Sequence, residues 1–201
     1  MLRVGLTGGI ACGKSTVAVL MRKRGCAVLD ADSLAHDLIE PGRPAYAEIV
    51  KEFGEGVLNA DGKVNRGTLG GIVFADRAKL DRLNQIVHPR VLEATNEWFA
   101  KIAREESPAI AVVEAALLIE AGYAQQLDRL VVCWCRPEQQ RKRLLARGLD
   151  AAEADRRIAA QMPMEEKKRR ATDLIDCSRT LVETARQVNK LVARLQNPAV
   201  A

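Results

Sequence analysis

Residues 2–16, Leu-Arg-Val-Gly-Leu-Thr-Gly-Gly-Ile-Ala-Cys-Gly-Lys-Ser-Thr, hold the side chains with the most definite chemical task. Gly8, four intervening residues, then Gly13, Lys14 and Ser15 satisfy the phosphate-loop spacing G-x-x-x-x-G-K-[ST]. Glycines let the backbone turn tightly and aim its N–H groups at a polyphosphate. A helix starting near Lys14 adds free N–H groups and the positive end of its dipole. Lys14 can reach the β- and γ-phosphates of a nucleoside triphosphate, and the Ser15 hydroxyl can ligate Mg²⁺. Gly8, Gly9, Ile10, Ala11, Cys12, Gly13, Lys14, Ser15 and Thr16 therefore form the expected phosphate-binding segment. Two further acidic positions, Asp30-Ala31-Asp32 and Glu114, close apolar runs. Carboxylates at the carboxyl end of a parallel strand sit where open α/β sheets bind ligands. One of the two aspartates can act there while Asp32 caps a helix starting near Ser33. The Cys12 thiol, beside Lys14 and a helix N-terminus, is expected to tend towards thiolate and to alkylate selectively unless nucleotide covers it.

Positioning these groups takes a sheet. Residues 2–7, 27–30, 109–114, 130–135 and 174–177 read as short buried strands, continuous in apolar character rather than alternating. Helical spacing is expected over 14–24, 33–40, 45–53, 138–147, 165–171 and a last helix whose apolar face is Val182, Ala185, Val188, Val192 and Leu195. Asp150 with Glu153, and Thr180 with Glu183, have the spacing of capping boxes, the first opening a helix to about residue 162. Between about residues 30 and 108 no strand signal occurs. Residues 68–106 read as almost wholly helical, with interruptions at Gly70-Gly71 and His88-Pro89 and a stop at Ser107-Pro108. That stretch is too long for one crossover and reads as an inserted helical subdomain, and residues 197–201 should fray. The fold class is α/β: a doubly wound five-stranded parallel sheet.

A length of 201 residues suits one such domain. Aromatic residues make up 3%, which argues against stacked-base binding of single-stranded nucleic acid. No apolar run reaches the roughly 18–20 residues of a membrane span, and the chain enters a strand without a signal peptide. The five cysteines include no C-x-x-C pair and mostly lie in apolar runs, as buried free thiols in a reducing cytoplasm do. The net charge of +5 resides in one block, residues 136–170, with eleven Lys/Arg against six Asp/Glu. Such a block is either a solvated helical face or a clamp on an anionic ligand.

Three classes compete. A nucleotide-hydrolysing switch needs a guanine-reading N-K-x-D, and Asn189-Lys190-Leu191-Val192 lacks the aspartate. A basic nucleic-acid-binding protein leaves the phosphate loop idle. A small-molecule kinase uses the loop, a carboxylate beside the acceptor hydroxyl, an acceptor-binding insertion and mobile arginines, and candidates for all of these are present.

The strings Gly5-Leu6-Thr7-Gly8-Gly9-Ile10, Leu29-Asp30-Ala31-Asp32, Phe53-Gly54, Asp61-Gly62 with Arg66, Leu83-Asn84 with His88-Pro89, Leu117-Leu118 with Glu120, and Arg157 with Ala160-Gln161 closely resemble the dephospho-coenzyme A kinase family. The resemblance spans residues 2 to about 177. It implies ATP-dependent phosphorylation, with Mg²⁺, of the ribose 3′-hydroxyl of dephospho-coenzyme A; another phosphate-loop small-molecule or nucleoside monophosphate kinase is the alternative. It implies a nucleotide core of residues 1–32 and 109–201, a helical substrate subdomain of about 60–106, and a helical lid of about 136–165. It also implies a cytoplasmic enzyme, monomeric or a small homo-oligomer, acting on a small molecule rather than on nucleic acid or membrane. Carried over by position, Asp32 is the base, Lys14 and Arg143 assist transfer, and Arg147 joins the loop in holding ATP. Arg66, His88, Glu114 and Arg157 face the acceptor or the phosphates; His88 before a proline also suits simple helix packing. Cys12 departs from the family's more frequent serine, Ala116 from a proline, and Cys177 and Arg179 from an asparagine and a glycine near the adenine.

Overall fold

Strands covered by helices on both faces must be apolar throughout, and that requirement selects the segments that pair. The computed structural model describes residues 1–105 and 109–196. In chain order its elements are β1 (Leu2–Gly8), α1 (Lys14–Arg22), β2 (Ala27–Asp30), α2 (Ala31–Asp37), α3 (Pro44–Phe53), α4 (Arg66–Ala75), α5 (Arg77–Arg104), β3 (Ile110–Glu114), β4 (Arg129–Trp134), α6 (Pro137–Leu145), α7 (Ala151–Ala159), α8 (Met164–Arg170), β5 (Asp173–Asp176) and α9 (Leu181–Gln196). The five strands form one parallel sheet in the order β2-β3-β1-β4-β5, as the strand pattern predicts. β1 is therefore central, with Leu6 opposite Glu114 of β3 and Gly8 opposite Cys133 of β4. The stop expected at Ser107-Pro108 and the fraying of 197–201 lie outside the described residues.

Two compact units divide the chain: Met1–Asp30 with Trp98–Ala201, and Ala31–Glu97. In the first, Val4, Leu6, Val112 and Val131 of the sheet pack with Val17 and Met21 of α1 and Val188, Leu191 and Val192 of α9. Each such side chain, fully buried, contributes about 1.5–3 kcal/mol relative to exposure. The second unit has its own core of Ile39, Ile49, Val57, Leu69, Val73 and Ile86. An isolated antiparallel bridge, Leu58 to Val64, closes its turn-rich passage, and the Tyr46 hydroxyl donates to the Gly62 carbonyl at 2.6 Å.

Several local expectations need correction. The long helical stretch breaks at Asp76, not at Gly70-Gly71 or His88-Pro89. Asp76 adopts extended backbone (φ −139°, ψ 112°), and its Oδ1 accepts from the backbone N–H groups of Ala78 and Lys79, so it caps α5. Pro89 sits inside α5 and forfeits one ladder bond. The bond lost is the one to the Gln85 carbonyl; the Arg90 guanidinium donates to the next carbonyl, that of Ile86. α2 begins at Ala31, which puts Asp32 in the first turn rather than at the N-cap; a carboxylate there still suits the positive end of the dipole. The buried stripe of α9 is Thr184, Val188, Leu191, Val192 and Leu195, and Val182 is 79% exposed. At about 100° per residue, position 182 lies about 200° from position 184 and cannot share its face. Both expected caps form: Asp150 accepts from the Glu153 N–H at 2.8 Å, and Thr180 and Glu183 bond reciprocally.

Candidate active site

The loop between β1 and α1 is shaped by what surrounds it. A Cβ at Gly8 would lie 2.2 Å from the Cys133 carbonyl oxygen, so only glycine lets β4 pass this close. Gly13 (φ 97°) reverses the chain into α1, a conformation that L side chains rarely adopt. Ala11 also has a positive φ, 60°, and is the non-glycine residue of the loop that stores backbone strain. Gly8, Gly9, Ile10, Ala11, Cys12, Gly13, Lys14, Ser15 and Thr16 are thus placed as a continuous turn opening a helix, with Ser15 and Thr16 exposed. The Ser15 hydroxyl donates to Glu114 Oε1 at 2.8 Å. Glu114 is 3% exposed at the end of β3, and Asp30 stands opposite it in the β2–β3 register. A hydroxyl from the first turn of α1 and a buried carboxylate from the end of β3 are hard oxygen donors suited to a small divalent cation that keeps water and phosphate as its other ligands.

Side chains distant in sequence hold this loop, and the sequence reading did not assign them that role. Gln161 Oε1 accepts from the Ile10 N–H at 2.8 Å, while Gln140 Nε2 donates to the Ile10 carbonyl at 2.8 Å. The Arg143 guanidinium donates to the Ala11 carbonyl (3.1 Å) and to the Cys177 carbonyl (2.9 Å), tying the loop to the exit of β5. Ile10 and Ala11 pack with Leu144, Leu149, Ala154 and Ile158 of the α6–α7 hairpin. Gln161→Leu removes the acceptor for the Ile10 N–H. Its expected cost is about 1 kcal/mol of stability, read as a melting temperature about 2–4 °C lower in a chain of this size, together with a raised KM for nucleotide. An unchanged melting point and KM would mean that Gln161 is dispensable to the loop.

A second support lies beneath it. Lys167 is fully buried, with Nζ 2.8 Å from Glu120 Oε1 and donating to the Ala116 carbonyl at 2.8 Å. Burial pushes its pKa down and the Glu120 carboxylate opposes that shift. Glu120 also accepts from the Met162 N–H, and Thr7 at the end of β1 donates to the same Ala116 carbonyl. The signal for Lys167 in sequence was only one lysine among several in a basic run.

The remaining sequence-assigned residues are spread. Arg157 pairs with Glu153 along α7 at 2.5 Å, and Arg147 is exposed on the turn after α6. Part of the basic block is ion-paired locally on the surface, as in Arg141–Asp155, Lys168–Glu165 and Arg170–Glu166, which is the solvated-face arrangement. Arg143 is the candidate from that block that reaches the loop. In the second unit, Asp32 is exposed in the first turn of α2, and Arg66 at the start of α4 bonds His36 Nδ1 at 2.9 Å. His88 is half-buried within α5. Arg179 pairs with Glu183 at the start of α9, and Cys177 lies against Gly13.

All five cysteines are buried free thiols. A hydrogen bond from the Cys135 thiol, aided by Lys14 and Arg143 and opposed by burial, lowers the Cys12 pKa to about 7. The expected thiolate tendency therefore exists. Ready alkylation does not follow, because Cys12 has 0% of its surface exposed.

A phosphate loop on the central strand of a parallel β2-β3-β1-β4-β5 sheet, with helices on its flanks and a helical unit inserted in sequence after the second strand, defines a phosphate-loop kinase. The chain belongs to the dephospho-CoA kinase family, whose model (CoaE) matches residues 2–183. It is 46% identical over 186 residues to the dephospho-CoA kinase of Symbiobacterium thermophilum, covering 92% of this chain and 77% of that one. It is 44% identical to that of Geobacter sulfurreducens, covering 95% and 97%. The solved structure of dephospho-CoA kinase from Campylobacter jejuni superposes with a TM-score of 0.71 at 25% identity, covering 98% of each chain. Among the described residues no helix is long and apolar enough to cross a membrane.

Proposed function

We propose that the chain transfers the γ-phosphoryl group of ATP to the ribose 3′-hydroxyl of dephospho-coenzyme A, giving coenzyme A and ADP, the final step of coenzyme A biosynthesis. The observation that carries this reading is the phosphate loop with Lys14 at its helix start and the Ser15–Glu114 oxygen pair, from the first turn of α1 and the end of β3. Loop N–H groups hold the β- and γ-phosphates, and Lys14 neutralises charge that builds on them. Mg²⁺, held by Ser15 with Glu114 alongside, would draw charge from the phosphate oxygens. Asp32 accepts the proton of the acceptor hydroxyl late in a loose transfer. The helical segment of about 60–106, with Arg66 and His88, receives the acceptor. The segment of about 136–165 acts as the lid, with Arg143, Arg147 and Arg157 supplying positive charge and excluding water.

Mass detection of coenzyme A after incubation with Mg-ATP and dephospho-coenzyme A tests the assignment. Acceptor-dependent ADP release is expected with dephospho-coenzyme A and little with shikimate or nucleoside monophosphates. Equal turnover on nucleoside monophosphates would replace the assignment by a general nucleotide kinase. The metal role is tested separately. Glu114→Gln keeps a hydrogen-bond partner for Ser15 but removes the charge, so half-saturation by Mg²⁺ should rise about 10–100-fold, as for other groups that orient a metal ligand. An unchanged Mg²⁺ dependence would remove Glu114 from the metal side.

A further inference from the structure

We infer that Cys12 and Cys135 form an oxidisable dithiol, a modification site built under the phosphate loop, at which a peroxide converts two thiols into a disulfide that disables the loop. The two sulfur atoms lie 3.5 Å apart although 123 residues separate them in sequence. Cys12 is part of the loop, and Cys135 follows the last residue of β4, so the pair joins the segment that must hold phosphate to the rigid sheet. Contact between two thiols at this range asks only for a small approach to reach the bonded separation of about 2.0 Å.

The two thiols differ in environment. Cys12 is the more acidic, at about 7, because it receives the Cys135 thiol's hydrogen bond and lies near Lys14 and Arg143. Cys135 is raised by making that bond and by burial. A thiol whose pKa lies near ambient pH is the most effective attacking sulfur, since it combines thiolate population with nucleophilicity. Cys12 is therefore the attacker and Cys135 the resolver. Cys12 thiolate attacks one peroxide oxygen, the O–O bond breaks, and the departing hydroxide takes a proton to leave as water. Cys12 is then a sulfenic acid. The Cys135 sulfur attacks Cys12 Sγ, the S–O bond breaks, and hydroxide leaves with the Cys135 proton as a second water. Two thiols and one peroxide thus give one disulfide and two waters.

Burial selects the oxidant. With Cys12 at 0% and Cys135 at 4% exposure, bulky disulfides are kept out, and a two-oxygen molecule enters when the loop opens locally. The consequence follows from the loop's tolerance. Drawing Cys12 from 3.5 Å to bonding distance shifts the chain that also carries the Cys12 N–H bond to the Gly9 carbonyl. A displacement of about 1 Å in a positioning element costs on the order of 10²-fold in rate.

The test is hydrogen peroxide treatment of the full chain, followed by non-reducing peptide mapping and kinase assay. The expected result is a Cys12–Cys135 linked peptide, intact protein lighter by two hydrogens, and a rate lowered at least about 10-fold that dithiothreitol restores. Saturating Mg-ATP should slow the linkage. Cys135→Ser, or Cys135→Ala if the serine variant folds poorly, should have ordinary activity before treatment and give no linked peptide after it. A Cys133–Cys177 linkage, an unlinked over-oxidised Cys12 as the main product, or linked protein with full activity each overturns the inference. The activity readout rests on the proposed reaction, whereas the peptide map does not. Untreated enzyme that fails to turn over dephospho-coenzyme A would therefore discredit the reaction and leave the dithiol to be judged on the map.

Discussion

Asp32→Asn should lower kcat by roughly 10²–10⁴-fold while ATP affinity survives. The substitution keeps size and hydrogen-bonding capacity and removes the proton acceptor alone. A ribose hydroxyl is a weak nucleophile, and a loose phosphoryl transfer asks for positioning first and proton removal late. Asp32 lies two residues beyond the last residue of β2, exposed in the first turn of α2. Asp30 differs: it is the final residue of β2 and stands in register with the buried Glu114, which makes it the neighbour of the Ser15–Glu114 pair. Asp30→Asn should therefore disturb metal dependence before it disturbs proton transfer. Near-normal kcat in Asp32→Asn with a dead Asp30→Asn would reverse the two roles. Joint loss of ATP binding and thermal stability in both variants would make the pair architectural and move the search for the base to Glu114.

Arg143→Ala is expected to lower kcat/KM by about 10²-fold or more, since that is the scale set both by a lost charge-stabilising donor and by a misplaced catalytic loop. These two causes are separable. The guanidinium donates to the carbonyls of Ala11 and Cys177, so its removal leaves two acceptors without their partner and loosens the loop from the exit of β5. Arg143→Lys keeps the charge but lacks the planar fork that reaches two carbonyls at once. If Arg143 acts chiefly by charge in the transition state, lysine should recover much of kcat. If it acts as the brace of the loop, lysine should fail as alanine does and the melting temperature should drop in both. A change confined to KM in Arg143→Ala would limit the residue to ground-state binding.

The parts of the molecule legible in sequence are those where one local requirement decides. A strand buried on both faces must be apolar along its length, so the cores of all five strands could be located before the fold was known. Gly8 and Gly13 were legible because close backbone approach and positive φ admit glycine almost alone. Where two local rules conflicted, sequence reasoning favoured the wrong one. Pro89 reads as a helix breaker, yet α5 runs through it and tolerates the one lost bond. The helical pattern of residues 68–106 runs straight through Asp76, yet that side chain starts a helix there. The braces of the phosphate loop were illegible for a different reason. Gln140 and Gln161 lie 130 and 151 residues from Ile10, and no periodicity in a single chain marks a glutamine that bonds a distant peptide group. The Cys12–Cys135 contact is of the same kind.

The central position of β1 has a consequence for the manufacture of the protein. β1 is the first strand to leave the ribosome, but its partners start at Ile110 and Arg129. At roughly 5–20 residues added per second, about 5–20 s separate the emergence of β1 from that of its first neighbour. During that interval Val4, Leu6, Val17 and Met21 lack the β3, β4, β5 and α9 side chains that later enclose them. Residues 31–97, by contrast, assemble a core entirely from within their own span and can close while translation continues. A ribosome-bound chain halted once residue 104 has cleared the exit tunnel, and before Ile110 emerges, should accordingly be cut by protease within residues 2–22 and spared over 45–87. The segment that carries the phosphate loop is thus the part left longest without its packing partners, even though it is made first.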